Sequence, residues 1–148
     1  MVAFGCIKSD IYIFSAMALI SLEIKNTLTD CDKGYLDVRC TVDGYQTGKK
    51  FKISLMRSRE IVASALDDGV LYGTELANRS GVTVKSYGSN VSLSYLSIRI
   101  MRSVVKPAID EGWYQCVVDG LGKNGFFAEK TSLEMLNIAG DIIMKSCV

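Results

Sequence analysis

Apolar and polar residues trade places with a period of two over much of this chain. Leu36, Val38, Cys40 and Val42 alternate with Tyr35, Asp37, Arg39 and Thr41, the pattern of a strand with one buried face. Phe51, Ile53 and Leu55 alternate in the same way with Lys50, Lys52 and Ser54, and Leu22-Glu23-Ile24 opens the series as a first strand. Tyr114, Cys116 and Val118 share a face, because residues two apart on a strand point the same way. Residues 61–66 and 70–76 are short apolar stretches separated by Asp67-Asp68-Gly69, and residues 79–84 read as the next strand. Val91, Leu93 and Tyr95 alternate, then Leu96, Ile98 and Ile100 do so one residue out of phase. A bulge near Tyr95, or the end of one face pattern, accounts for that shift. A last strand is expected over residues 126–136, after a glycine-rich loop, Asp119 to Gly125.

The string Asp110-Glu111-Gly112-Trp113-Tyr114-Gln115-Cys116 has the form D-x-G-x-Y-x-C. Alone it also suits an ordinary buried strand that carries a Tyr and a Cys. Read with Cys40 on the apolar face of its own strand, it resembles the immunoglobulin superfamily, over residues 19–136. The resemblance implies an all-β fold, an immunoglobulin-like two-sheet antiparallel sandwich of variable or intermediate type. It implies a corner motif of Asp110, Gly112 and Tyr114, and a disulfide between Cys40 and Cys116. Such a bridge is worth about 4 kcal/mol in the chain-entropy account. It also suggests Arg79 as the partner of Asp110, the alternative being a solvated arginine. The stretches at 61–66 and 70–76 leave room for the extra strand pair of a variable-type sandwich. One departure stands out: the core Trp of the third strand is missing, and Ile53 or Leu55 takes its place. Within the superfamily, residues 52–58 and 114–120 are similar to the immunoglobulin domains of molluscan fibrinogen-related immune lectins.

The bulk numbers narrow the chemistry. At 148 residues the chain suits one domain with a proper core. A net charge of +1 with dispersed basic residues lacks the footprint of a nucleic-acid binder. The chain has no histidine, which removes Ser-His-Asp and Cys-His pairs and histidine metal sites together. Asp67-Asp68 and Asp110-Glu111 read as turn residues rather than a catalytic dyad. No enzyme and no cofactor are expected. The five cysteines, Cys6, Cys31, Cys40, Cys116 and Cys147, show no C-x-x-C spacing. Cys31 and Cys147 could form a second bridge, Cys147 could instead link two chains, and Cys6 would be lost with a leader. Ile11 to Ile20 is an uncharged apolar run after Lys8, and Ala16-Met17-Ala18 is A-x-A-like, the parts of a signal peptide over residues 1–18; Asp10 abuts the run, and the alternative is a buried N-terminal strand or helix. Residues 137–148 form a tail too short to span a bilayer. Asn78 and Asn90 each head an N-x-S triplet, so both are candidate glycosylation sites of a secreted chain.

The resemblance implies a secreted, non-enzymatic module that binds a protein or carbohydrate ligand through loops at one end of the sandwich. Candidate ligand-binding residues are Tyr45, Gln46 and Lys49 after the first cysteine, and Asp119, Leu121, Lys123 and Asn124 after the second. Either a partner lectin-like domain is missing, or the chain is a single-domain relative. The alternative is an adhesive or structural module that pairs with another such domain, with Trp113, Tyr87 and Tyr95 as a shared exposed patch.

Overall fold

The computed structural model describes residues 20–43, 50–66, 69–88, 93–122 and 125–138. Residues 1–18, where a leader is expected, Cys6, Cys147 and most of the expected tail lie outside them. The strands are β1 (Ile20–Asn26), β2 (Tyr35–Asp43), β3 (Lys50–Arg57), β4 (Glu60–Leu66) and β5 (Gly69–Tyr72). A helical turn α1 (Thr74–Ala77) leads to β6 (Val82–Tyr87) and β7 (Leu93–Met101). A 3-10 turn (Arg102–Val104) and a second helical turn α2 (Pro107–Asp110) precede β8 (Gly112–Gly122), β9 (Gly125–Lys130) and β10 (Glu134–Leu136).

One antiparallel sheet runs β1-β2-β7-β6; the other runs β10-β8-β3-β4-β5, with β9 also paired to β8. This is an immunoglobulin-like sandwich, and β4 and β5 supply the additional pair of a variable-type domain. Cys40 on β2 and Cys116 on β8 are disulfide-bonded across the two sheets, with Cα atoms 5.7 Å apart. Leu36, Val38, Val42, Leu96, Ile98 and Ile100 fill the inner face of one sheet; Ile53, Leu55, Tyr114 and Val118 fill the other. Leu55 is the register partner of Cys116 and is fully buried, so it stands beside the bridge, where the immunoglobulin resemblance had a Trp missing. The core continues past residue 136, for Ile138 is fully buried and its N–H donates to Glu111 Oε2 at 3.2 Å.

Several expectations change. The phase shift near Tyr95 is no bulge: β7 keeps unbroken register with β2 from Tyr35↔Met101 to Asp43↔Leu93. Ser94 faces inward and is fully buried, while apolar Leu93 faces out, so hydrophobicity rather than geometry changes face. The bulge lies instead between Leu55 and Met56 against β4. Only residues 70–72 of the second apolar stretch are strand; after Gly73 the chain turns helically and buries Leu76. The single last strand is two. Between β9 and β10, the Thr131 N–H donates to Cys116 O at 2.9 Å, and its Oγ1 accepts from the Cys116 N–H at 3.0 Å. One residue thereby satisfies both backbone groups of Cys116 and lets the edge strand break.

The expected loop from Asp119 to Gly125 is mostly strand, with Gly122↔Gly125 as the last register pair of a tight hairpin. Gly120 makes this extension workable. A Cβ there would press on the carbonyl of Lys50 and lie 2.6 Å from Phe51 Cα. Gly120→Ala is therefore expected to cost about 2–3 kcal/mol by forcing β3 and β8 apart. Urea unfolding of the variant checks this. Replacing Cys40 and Cys116 together by Ala should cost about 4 kcal/mol, read from the same midpoint shift.

Candidate functional site

A buried polar cluster closes one pole of the sandwich. Pro107 opens α2, and the turn delivers Asp110 fully buried beneath the sheets. Asp110 Oδ2 accepts from Arg79 Nη1 at 2.6 Å and from the Lys106 N–H at 2.7 Å. Its Oδ1 has no hydrogen-bond partner among the described residues and faces Arg57 Nη1 at 3.9 Å. The Tyr114 hydroxyl donates to the Asp110 carbonyl at 2.5 Å. Gly112, at φ 143°, is needed because a Cβ there would meet Ser58 Oγ at 2.7 Å. Arg79 also donates to Val104 O at 3.3 Å and pairs with Glu75, which takes a further bond from Lys106 Nζ at 3.2 Å.

The electrostatics follow from those contacts. Burial works against the Arg79 charge, but its hydrogen bonds to Asp110 and Glu75 outweigh that and raise its pKa. The Arg79 hydrogen bond holds the Glu75 carboxyl below its ordinary value. Burial raises the Tyr114 hydroxyl above its ordinary ~10, against the lowering effect of Arg57. Every group here is held by another, so the cluster is a clamp joining α1, α2 and β8. Among the described residues, no group of three or more cysteine or acidic side chains is placed to hold a metal. No described helix is long and apolar enough to cross a membrane.

The proposed ligand residues are spread differently. Asp119 and Leu121 stand in β8, paired with Lys52 and Lys50 of β3, so they are sheet rather than loop residues. Tyr45, Gln46, Lys49, Lys123, Asn124 and the acceptor Asn90 lie outside the described residues. The strand ends that flank 44–49, 67–68, 89–92 and 123–124 all fall at the pole opposite the clamp, as the register of β2, β3, β4, β7 and β8 requires. Asn78 is exposed at the end of α1, on the clamp pole. Cys31 is disulfide-bonded, and its pairing lies outside the described residues.

The surface that sequence reasoning missed is the outer face of the larger sheet. Trp113 pairs with Met135, Leu121 with Phe126, Met56 with Ile61 and Ser64 with Leu71, all on the face opposite Tyr114. Phe126 is 75% exposed, Leu71 74% and Leu121 61%. The signal was present in part, since the outward phase of β8 carries Trp113, Val117 and Leu121, but Gln115 and Asp119 interrupt it. Trp113 does not join Tyr87 and Tyr95 in one patch. Tyr87 and Tyr95 stack on each other at 6.2 Å on the smaller sheet, while Trp113 stands on the larger.

No protein-family model matches the chain, and no curated protein matches its sequence. Among solved structures, it is similar to the V domain of amphioxus IgVJ-C2, at 20% identity and a TM-score of 0.45, over 61% of this chain and 79% of that one. The MHC-like MILL2 matches at 10% identity and a TM-score of 0.33, over 82% of this chain and 44% of the other. AggA, the major subunit of aggregative adherence fimbriae type I of Escherichia coli, matches at 10% identity and a TM-score of 0.33, over 78% of this chain and 91% of that one.

The clamp makes two outcomes measurable. Asp110→Ala leaves Arg79 buried without its main partner and should cost about 3–5 kcal/mol in urea unfolding. Because the folded state holds the Tyr114 proton more tightly than the unfolded one, this contribution is full below ~pH 10. It is lost as pH climbs through the raised folded value. Tyr114→Phe should flatten that alkaline decline while costing about 1 kcal/mol at neutral pH.

Proposed function

We propose that this chain is a non-enzymatic extracellular module that pairs, through the outer face of its larger sheet, with a second domain presenting a similar face. One observation carries the reading: large apolar side chains, Trp113, Leu121, Phe126, Ile61 and Leu71 among them, stand exposed on that face. Strand spacing makes the face about 20 Å by 26 Å, or roughly 500 Å². A standard interface buries about 800 Å² per partner, so the face alone supports a weak, reversible pairing. The inter-sheet disulfide agrees with an extracellular setting, which would have the leader segment 1–18 direct secretion.

A second reading is favoured by the gathering of four connections at one pole. There, Tyr45, Gln46, Lys49, Lys123 and Asn124 would read a protein or carbohydrate ligand, with Asp119 and Leu121 extending that surface onto β8. The ligand would be of immune type if the resemblance of residues 52–58 and 114–120 to the immunoglobulin domains of molluscan fibrinogen-related lectins extends to function. Asn78 would carry a glycan at the far pole, clear of both surfaces.

Sedimentation equilibrium over a concentration series distinguishes the readings. Face-to-face pairing predicts a dimer that Leu121→Glu and Trp113→Glu each abolish without changing the fold. A chain that stays monomeric at its highest soluble concentration removes that reading.

A further inference from the structure

The outer face of the smaller sheet carries two tyrosines with cations held over their rings. Tyr35 has Arg99 4.1 Å and Lys25 5.8 Å from its ring centre. In that cluster the closer cation is already taken, because Arg99 Nη2 also pairs with Asp37 at 2.8 Å. The second cluster differs. Arg39 lies 4.6 Å from the centre of the Tyr95 ring, whose other neighbour is Tyr87. Glu23 is opposite Arg39 in register, yet the two form no ion pair, and the guanidinium is drawn over the ring instead.

Lys85 completes the arrangement. Arg39 and Lys85 flank Ser97 in register on β2, β7 and β6, on one face. Two strand spacings set their Cα atoms about 10 Å apart. Ser97 between them is small and 6% exposed, so the row has a low floor with a cation on either side. Tyr87, 52% exposed, and Tyr95 form the wall one register row nearer the loop pole. Neither Arg39 nor Lys85 makes an ion pair among the described residues.

We propose that Arg39 and Lys85, with Tyr87 and Tyr95, form a binding site for an acidic sugar chain, carboxylated or sulfated. The two cations supply charge-assisted hydrogen bonds to the acid group. The half-exposed ring of Tyr87, apolar with a polar rim, matches the C–H face and the hydroxyl edge of a pyranose ring, and Tyr95 backs it. An acidic peptide would satisfy the cations but leave the Tyr87 ring uncovered. The site is on the sheet opposite the apolar pairing face, so it stands or falls independently of that reading.

Titration with a heparin-derived hexasaccharide, followed by calorimetry, tests the assignment. The unmodified chain should bind it, and the desulfated hexasaccharide should compete only through its remaining carboxylates. Arg39→Ala with Lys85→Ala should weaken binding about tenfold or more, and Tyr87→Ala about fivefold. Lys50→Ala with Lys52→Ala removes the same charge from the other sheet and should leave binding within about twofold. Three outcomes overturn the assignment: no binding, equal loss in the Lys50 and Lys52 variant, or equal competition by poly-glutamate, which would show attraction to charge alone.

Discussion

The sulfur bridge between β2 and β8 is the constraint to which the other parts are referred. Cys40 sits between Leu22 and Leu96 in register, and Cys116 beside Leu55, so the bond passes through the middle of both inner faces. A one-residue slip of either strand would carry its cysteine to solvent and expose the aliphatic residues with it. Tying those two positions therefore sets the phase of both sheets at once. It also fixes which side chains are left to face outward, and the two outer faces differ in kind. One is laced with charge and tyrosine; the other sets large exposed apolar side chains among Lys50, Lys52 and Asp119.

The clamp at the pole works by a different principle. A fully buried carboxylate is tolerable only when its charge is answered nearby, and Arg79 and the Lys106 N–H answer it from two separate connections. Tyr114 then ties the same turn to the strand that holds Cys116. The covalent bond and the clamp thus meet on β8, two residues apart. Variation in the remaining connections can proceed at the far pole without disturbing either.

Much of this could be read from the chain. β2, β3 and the inward side of β8 followed from alternation, because most of their inward positions are apolar and most of their outward ones polar. Where both phases are apolar, alternation says which residues share a face but not which face turns inward. That is why Trp113, Leu121 and Phe126 went unread as a surface, and why Leu93 and Tyr95 suggested a bulge. The long pairing of β8 with β9 was hidden by glycines, of which Gly120 serves close backbone approach rather than a wide loop. The pairing of Arg79 with Asp110 was reachable only through resemblance, since the two are 31 positions apart and nothing local links them. The turn at α1 was lost inside an apolar stretch whose Leu76 is buried just as a strand residue would be.

The divided strand at the margin of the larger sheet has a further effect. A long, flat, apolar border would offer its unused amides and carbonyls as a template for unrelated chains, the usual start of fibrils. Here that border is cut by Thr131 into pieces of six and three residues, each too brief to seed a continuous ladder. A molecule that keeps Phe126 and Met135 in water can stay dispersed because the backbone beside them gives an incoming strand so little to grip.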